Sequence, residues 1–171
     1  MAPEQSSTTA MRCRSSRTSR RRLSLKQAPP TSPGGRLAAC KVLTLPRIHD
    51  PRGNLTFIES GRQVPFEVAR VYYLYDVPGG AERGGHGHRN LHQAIIAVSG
   101  SFDVILDDGV IRKKFRMSRG YRALYIAPMV WRELRNFTSG SVCLALASAP
   151  YDEADYIRDY AEFVRLARKA A

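Results

Sequence analysis

The hydrophobic pattern across residues 42–150 consists of short apolar or alternating runs separated by turn residues. Such runs are typical of the strands of a β-sandwich or barrel. They read NLTFIES, FEVARVYYLYDV, HQAIIAVSG, SFDVILDDG, IRKKFRM, ALYIAP and SVCLALAS. The DDG sequence at 107–109 predicts a hairpin, because Asp and Gly tolerate the positive φ angles of tight turns. We therefore expect an all-β domain in which the strands flanking this turn are antiparallel neighbours.

The pattern changes to a helical period after Pro150. Asp152 is a candidate N-cap, with acidic residues in the first turn and basic residues in the last, as the helix dipole favours. The sequence predicts a C-terminal helix over about 152–169 that packs on the β domain. Its apolar and aromatic stripe comprises Tyr156, Ile157, Tyr160, Phe163, Val164 and Ala167.

The N-terminal 41 residues differ in composition from the rest of the chain. They are rich in Ser, Arg and Pro, they show no apolar period, and they hold nine of the 27 basic residues but one of the 15 acidic residues. We expect residues 1–41 to be a disordered tail and residues 42–171 to form one domain that folds from about Lys41 onward. The tail is compatible with a nucleic-acid-binding arm, an organelle transit peptide or dispensable sequence, and we favour the last.

The remaining composition excludes several classes of protein. Cys13, Cys40 and Cys143 follow no disulfide or metal-ligand spacing. No apolar run is long enough for a membrane span, and none follows the basic stretch as a secretion signal requires. We therefore expect a cytoplasmic protein that binds neither nucleic acid nor membrane.

Three of the four histidines lie within seven positions of the segment GGHGHRNLHQ, residues 84–93. Residues i and i+2 of an extended strand face the same side, so His86 and His88 are expected to face one cavity. Their imidazoles are suited to proton transfer near neutral pH. A metal site and an exposed turn are the two other interpretations.

The spacing of His86, His88, Gln93 and Gly100 resembles the first motif of the cupin superfamily. The second cupin motif has a further histidine, but here PMVWRELRN places Arg132 at that position. Arginine is permanently cationic and does not ligate metal ions. The resemblance therefore predicts a cupin-type jelly-roll barrel without a metal, and with Gln93 rather than His92 turned inward.

The wider sequence resembles the dTDP-sugar 3,4-ketoisomerases, which convert dTDP-4-keto-6-deoxyglucose to its 3-keto isomer. The resemblance extends over about residues 48–163. It rests on DPRGNLTFIE, VPFEVARVYYLYDV, RGGHGHRNLHQ, SGSFDVILDDG, YIAPMVWRELRNF and YDEADYIRDYAEF, in that order. It implies a jelly-roll homodimer that exchanges N-terminal strands and that isomerises a dTDP-linked 4-keto-6-deoxyhexose without a cofactor.

The resemblance also implies roles for individual residues. His86 is assigned as the base at C3 of the sugar and His88 as its partner, with the order of the two roles open. Tyr72 completes the catalytic set, because a phenol can donate to an enediolate oxygen. Arginines suit the diphosphate because their guanidinium binds it bidentately. The expected substrate-binding residues are Arg70, Arg83, Gln93 and Arg132.

Two other kinds of function fit the same scaffold. One is a different enzyme, either a dTDP-4-keto-sugar epimerase or a metal-dependent oxygenase, and the other is a module that binds a sugar nucleotide without turnover. An epimerase is expected to pair a histidine with an aspartate, and the sequence near residues 84–93 shows no such carboxylate. Two adjacent titratable groups favour catalysis over binding alone.

Overall fold

The computed structural model describes residues 35–169. Among these residues, no helix is long and apolar enough to cross a membrane. Short 3₁₀ turns lie at Arg36–Ala38 and Glu153–Asp155. The strands are β1 (Lys41–Thr44), β2 (Ile48–Asp50), β3 (Gly53–Leu55), β4 (Arg70–Leu74), β5 (Arg83–His88), β6 (Gln93–Ser99), β7 (Phe102–Asp107), β8 (Arg112–Met117), β9 (Arg122–Ile126), β10 (Trp131–Arg135), β11 (Val142–Ala147) and β12 (Tyr156–Ile157), and the helix is α1 (Tyr160–Lys169).

Two five-stranded sheets make up the body of the fold. The first has the order β1-β9-β6-β11-β4 and the second the order β12-β5-β10-β7-β8, with antiparallel neighbours throughout. From β4 to β7 each strand lies in the sheet opposite the one before it, as in a jelly roll. Within the part of the chain that the structure describes, strands β2 and β3 pair only with each other. The all-β jelly-roll class that the sequence predicted is confirmed.

The core lies between the two sheets, because alternate residues of each strand face inward. Phe102, Val104 and Leu106 of β7 are fully buried, and Leu124 and Ile126 of β9 are equally buried in the opposite sheet. The predicted hairpin is also confirmed, since Asp107 of β7 pairs with Arg112 of β8.

The C-terminal helix is shorter than predicted and begins at Tyr160 rather than near Asp152. Asp152 instead caps the second 3₁₀ turn, where its side chain accepts a 2.9 Å hydrogen bond from Ala154 N–H. Asp159 Oδ1 accepts a 2.6 Å bond from Glu162 N–H and so caps α1. The residues between form β12, because the exposed edge of β5 offers their backbone groups hydrogen-bond partners. The apolar stripe predicted for a helix therefore lies on a helix only from Tyr160 onward.

Residues before the predicted boundary at residue 41 already pack against the domain. Leu37 is 1% exposed in the main core, and the Cys40 sulfur accepts a hydrogen bond from Ala127 N–H at 3.3 Å. Leu37 and Cys40, two apolar residues three positions apart, make too short a pattern to predict a helix or a strand. For this reason the sequence interpretation assigned them to the tail. The predicted disorder of residues 1–34 lies outside the described residues.

Candidate active site

A cavity of about 550 Å³ opens between the two sheets and is closed on one side by the segment 151–158. Its volume lies within the range of small-molecule sites. His88 is fully buried and does not line this cavity. Six of the seven residues predicted for the site do line it, namely Arg70, Tyr72, Arg83, His86, Gln93 and Arg132.

Strand pairing in the first sheet brings two of these residues together. Ala147 of β11 pairs with Arg70 on one side and with Gln93 on the other. The small side chain of Ala147 is buried between them. Ala145, two residues earlier on β11, lines the cavity. Gln93 Nε2 donates a 2.8 Å hydrogen bond to the Tyr72 hydroxyl, which leaves the phenol proton free to be donated elsewhere.

Strand pairing in the second sheet sets His86 opposite Arg132. The β5–β10 register pairs these two residues and then shifts by a bulge after Arg132. Gly84 allows the strands to approach at this point, since a Cβ there would lie 2.9 Å from the Arg132 carbonyl oxygen and its φ is +84°. A glycine two residues before His86 is therefore required to build this wall of the cavity.

The two histidines are neighbours on one face of β5, as the alternation of a strand predicts. Their ring centroids are 4.9 Å apart and the rings are almost perpendicular. Tyr156 packs against both, with centroid distances of 5.0 Å to His86 and 4.2 Å to His88. His92 points elsewhere and bonds the Tyr125 hydroxyl at 2.7 Å.

Arg132 dominates the electrostatics of the site. Its side chain is 1% exposed, and within residues 35–169 its three guanidinium nitrogens have no hydrogen-bond partner. Burial lowers the pKa of Arg132 to about 10, so the group still carries its charge at neutral pH. Buried polar groups are normally satisfied, so these donors are available to an oxygen-rich ligand.

Both histidines are neutral at physiological pH. Burial, and next the charge of Arg132, lower the pKa of His86 to about 4. The same two causes, in the same order, lower the pKa of His88 to about 2. Each imidazole therefore has one nitrogen with a lone pair that can accept a proton.

The structure corrects the statement that no carboxylate accompanies the histidines. Asp155 Oδ2 lies 2.9 Å from His88 Nδ1, although the two residues are 67 positions apart in the chain. The absence of a His–Asp pair therefore no longer argues against an epimerase.

The sequence interpretation missed the residues of the segment 151–158, because it assigned them to a helix. Tyr151, Tyr156 and Arg158 line the cavity from this segment. The guanidinium of Arg158 lies 4.6 Å from the Tyr156 ring centroid, and that of Arg70 lies 5.5 Å from the Tyr151 ring centroid. One sequence signal could have exposed the error, since Asp159 followed by Glu162 is the spacing of a helix capping box.

The residue set of the cavity does not resemble a metal centre. Within the described part of the chain, no three His, Cys, Asp or Glu side chains group in a way that could hold a metal ion. Arg132 occupies the position where the cupin pattern has a third imidazole, and a guanidinium repels cations. Activity without a metal stays a prediction.

Comparison with known proteins assigns the chain to a family. The family model described as FdtA, WxcM-like, C-terminal, matches residues 38–168. A TDP-4-oxo-6-deoxy-alpha-D-glucose-3,4-oxoisomerase of Aneurinibacillus thermoaerophilus is 42% identical over 129 residues, which cover 75% of this chain and 93% of that protein.

Solved structures of similar proteins agree with this. A sugar 3,4-ketoisomerase, QdtA, of Thermoanaerobacterium thermosaccharolyticum in complex with TDP is 40% identical, with a TM-score of 0.75, over 77% of this chain and 96% of that one. The TDP-quinovose 3,4-ketoisomerase WlaRB of Campylobacter jejuni is 48% identical, with a TM-score of 0.71, over 74% and 97% of the two chains. With the family model matched across nearly the whole described domain, this chain belongs to the WxcM-like, C-terminal family.

Proposed function

We propose that this protein is a TDP-sugar 3,4-ketoisomerase that converts dTDP-4-keto-6-deoxyglucose to a dTDP-3-keto-6-deoxyhexose. The observation that carries the proposal is the pair of neutral imidazoles beside a buried guanidinium without a partner among residues 35–169. Similar enzymes carry this activity in their names, at 40–48% identity. The cavity is therefore lined by one imidazole and the guanidinium, and the second imidazole lies directly behind the first.

The reaction moves a ketone from C4 to C3 of the sugar through two proton transfers. A base removes the C3 proton, and the electron pair of that bond forms a double bond between C3 and C4, leaving an enediolate. The proton of the C3 hydroxyl is then transferred to the C4 oxygen as the C3 ketone forms, and C4 gains a proton in place of the one that C3 lost. Atoms and electrons balance without an oxidant, and general acid–base catalysis is worth about 10²–10⁴ in rate.

The two histidines divide these transfers. The sequence interpretation assigned the C3 base to His86 and left the order open. His86 lines the cavity, whereas His88 is buried behind it and contacts Asp155. We therefore assign proton removal at C3 to His86 and give His88 the partner role in reprotonation at C4.

The remaining residues bind substrate and stabilise charge. Arg132 lies opposite His86, and its N–H groups have no hydrogen-bond partner within residues 35–169. We assign them to the oxygens of the enediolate, where a buried positive charge is most effective. Tyr72 adds a phenol donor, and burial raises its pKa so that it stays protonated. Arg70 and Arg83 line the same cavity and are assigned to the diphosphate.

We also propose that the protein is a homodimer with exchanged N-terminal strands. Strands β2 and β3 form an isolated two-stranded sheet, with Ile48 and Leu55 both 55% exposed. Such a sheet is marginal in water by itself. On the outer face of the edge strand β4, Val71 and Tyr73 are also exposed. A second copy that covers both surfaces would remove this apolar area from water. Location in the cytoplasm stays a prediction.

The decisive experiment is to incubate the purified protein with dTDP-4-keto-6-deoxyglucose and identify the product by NMR. A product with the ketone at C3 supports the proposal. A 4-keto product with inverted ring carbons would establish the epimerase, and binding without any turnover would establish the non-catalytic module. Activity that a chelator abolishes and a divalent metal restores would establish the metal-dependent enzyme.

Solvent deuterium separates the roles of the two histidines. His86→Asn is expected to abolish both product formation and exchange of the C3 hydrogen, because the base is missing. His88→Asn is expected to stop product formation while retaining slow C3 exchange. The reverse pattern would exchange the two roles. Near-normal turnover in both variants would remove the histidines from the mechanism.

A further inference from the structure

The carboxyl group of Asp155 is held between two donors behind the histidine pair. Its Oδ2 lies 2.9 Å from His88 Nδ1, and its Oδ1 accepts a 2.7 Å hydrogen bond from the backbone N–H of Asn90. The Asp155 side chain is 14% exposed and that of His88 is fully buried. Both carboxylate oxygens therefore have a fixed direction relative to the imidazole.

We infer that Asp155 is a positioning residue, which holds the neutral ring of His88 in the tautomer protonated on Nδ1 and leaves Nε2 as the basic nitrogen. The inference rests on the proposed function, because it assigns a task to the partner histidine of that reaction. An ionised carboxylate only accepts hydrogen bonds, so the proton between the two groups belongs to Nδ1. Nε2 is buried and has no hydrogen-bond partner among residues 35–169.

A purely structural role explains these contacts less well. The segment that carries Asp155 is already attached to β5 by backbone bonds, since Tyr156 pairs with His88 and Ile157 with Gly87. The Asp155 carbonyl adds a 2.9 Å bond from Arg89 N–H. The carboxylate adds little to this attachment, whereas the tautomer of His88 depends on it.

An ion pair between a charged imidazolium and the carboxylate is also disfavoured. The charged groups around His88 are Arg132, Arg70, Arg158 and Asp155, so three cations oppose one anion. Burial and Arg132 lower the pKa of His88 to about 2. A neutral ring that donates from Nδ1 satisfies both the carboxylate and this positive field.

The variant Asp155→Asn tests the inference because it reverses the direction of the hydrogen bond. The amide oxygen keeps the bond from Asn90 N–H, so the amide NH₂ group faces His88 Nδ1. Nδ1 must then accept, which moves the ring proton to Nε2. We expect kcat to fall by about 10²–10⁴-fold, the contribution of a group in general acid–base catalysis, with KM and TDP affinity within about twofold of wild type.

Asp152→Asn is the matched control. Asp152 caps the 3₁₀ turn that contains Asp155, and the substitution removes one negative charge, as Asp155→Asn does. Asparagine is an equally good cap. This variant is expected to keep kcat within about twofold of wild type. A loss of activity in Asp152→Asn equal to that in Asp155→Asn would assign the effect to the fold of the segment and would overturn the inference.

Nitrogen NMR of ¹⁵N-histidine-labelled protein without substrate provides the second readout. The His88 resonances are identified by their absence from His88→Asn. Wild type is expected to show Nδ1 protonated, and Asp155→Asn is expected to show Nε2 protonated. Nε2 protonation in wild type would overturn the inference even if Asp155→Asn failed to fold. Nδ1 protonation in a wild type that does not isomerise the sugar would refute the proposed function and leave the positioning role standing.

Discussion

For the individual residues, burial beside the guanidinium of Arg132 explains the protonation of the two histidines. Burial is the larger cause of their lowered pKa values, and the positive charge of Arg132 adds to it by raising the energy of a neighbouring imidazolium. Both histidines are consequently neutral, as an enzyme that begins by removing a proton needs them to be. The positive charge that opposes imidazolium is the same charge that favours an enediolate.

The pH dependence of kcat/KM follows from the two lowered pKa values. A histidine whose pKa is lowered stays neutral, and active as a base, as the pH falls past 6.5. With pKa values of about 4 for His86 and about 2 for His88, we expect kcat/KM to stay level from about pH 8 to about pH 5.5. Initial rates across this range measure it. A single ionisation near pH 6.5 that halves kcat/KM would contradict the lowered pKa values.

Replacing Arg132 by Met is expected to separate activity from stability. Met fills a similar volume without a buried charge, so the free energy of unfolding should be unchanged or higher by about 1–4 kcal/mol. We expect kcat to fall by about 10²–10³-fold, because the enediolate loses its charged donors. Urea unfolding and initial rates measure the two quantities.

Arg135→Met is the control for this substitution. Arg135 lies on the same strand, and its charge is paired with Glu82 and Glu133 near the surface. We expect this variant to keep its kcat within about twofold. An Arg132→Met variant that is as active as Arg135→Met would remove the guanidinium from the mechanism.

At the scale of the element, the segment from Pro150 to Ile157 contributes as much to the site as the histidine strand. It extends the second sheet past β5 and so places Tyr156 and Asp155 beside the imidazoles. Phe163 of helix α1 packs against Gly87 of β5 so closely that a Cβ on Gly87 would lie 2.9 Å from the Phe163 ring. The close packing of α1 on β5 therefore holds this wall of the cavity in place.

The N-terminal turn at Arg36–Ala38 makes a prediction about truncation. Leu37 is buried in the core, and a buried Leu replaced by Ala costs about 2–5 kcal/mol. A chain that begins at residue 35 is expected to keep the unfolding free energy and the turnover of the full chain. A chain that begins at residue 41 is expected to lose at least about 2 kcal/mol. Urea unfolding of the two chains measures this, and equal midpoints would show that Leu37 contributes nothing.

At the scale of the whole molecule, the exposed apolar surfaces predict association. The double variant Val71→Asp and Tyr73→Asp places two charges on the outer face of β4, where we propose that a second copy packs. We expect wild type to have twice the mass of one chain by light scattering and the double variant to have the mass of a single chain. Val110→Asp, at a position 83% exposed in the β7–β8 turn, is expected to remain a dimer. A monomeric wild type would refute the proposed interface.

The class of fold and the inward face of the histidine strand follow from local sequence patterns. Alternation along a strand is a local property of the pleated backbone, so His86 and His88 share a face in any sheet that contains them. The hairpin at 107–109 is local for the same reason. The sequence also shows that the histidine of the second cupin motif is missing, since this depends only on which residue occupies position 132.

The electrostatics and the second wall of the site depend on contacts between distant parts of the chain. Asp155 reaches His88 across 67 positions because β12 adds to the edge of β5, and nothing in the local sequence specifies that pairing. Tyr156 and Ile157 have the apolar spacing of a helix. They form a strand instead, because the edge of β5 offers hydrogen-bond partners to their backbone groups. The neutrality of the histidines depends on their burial with Arg132, and burial is a property of the assembled sheets rather than of any one strand.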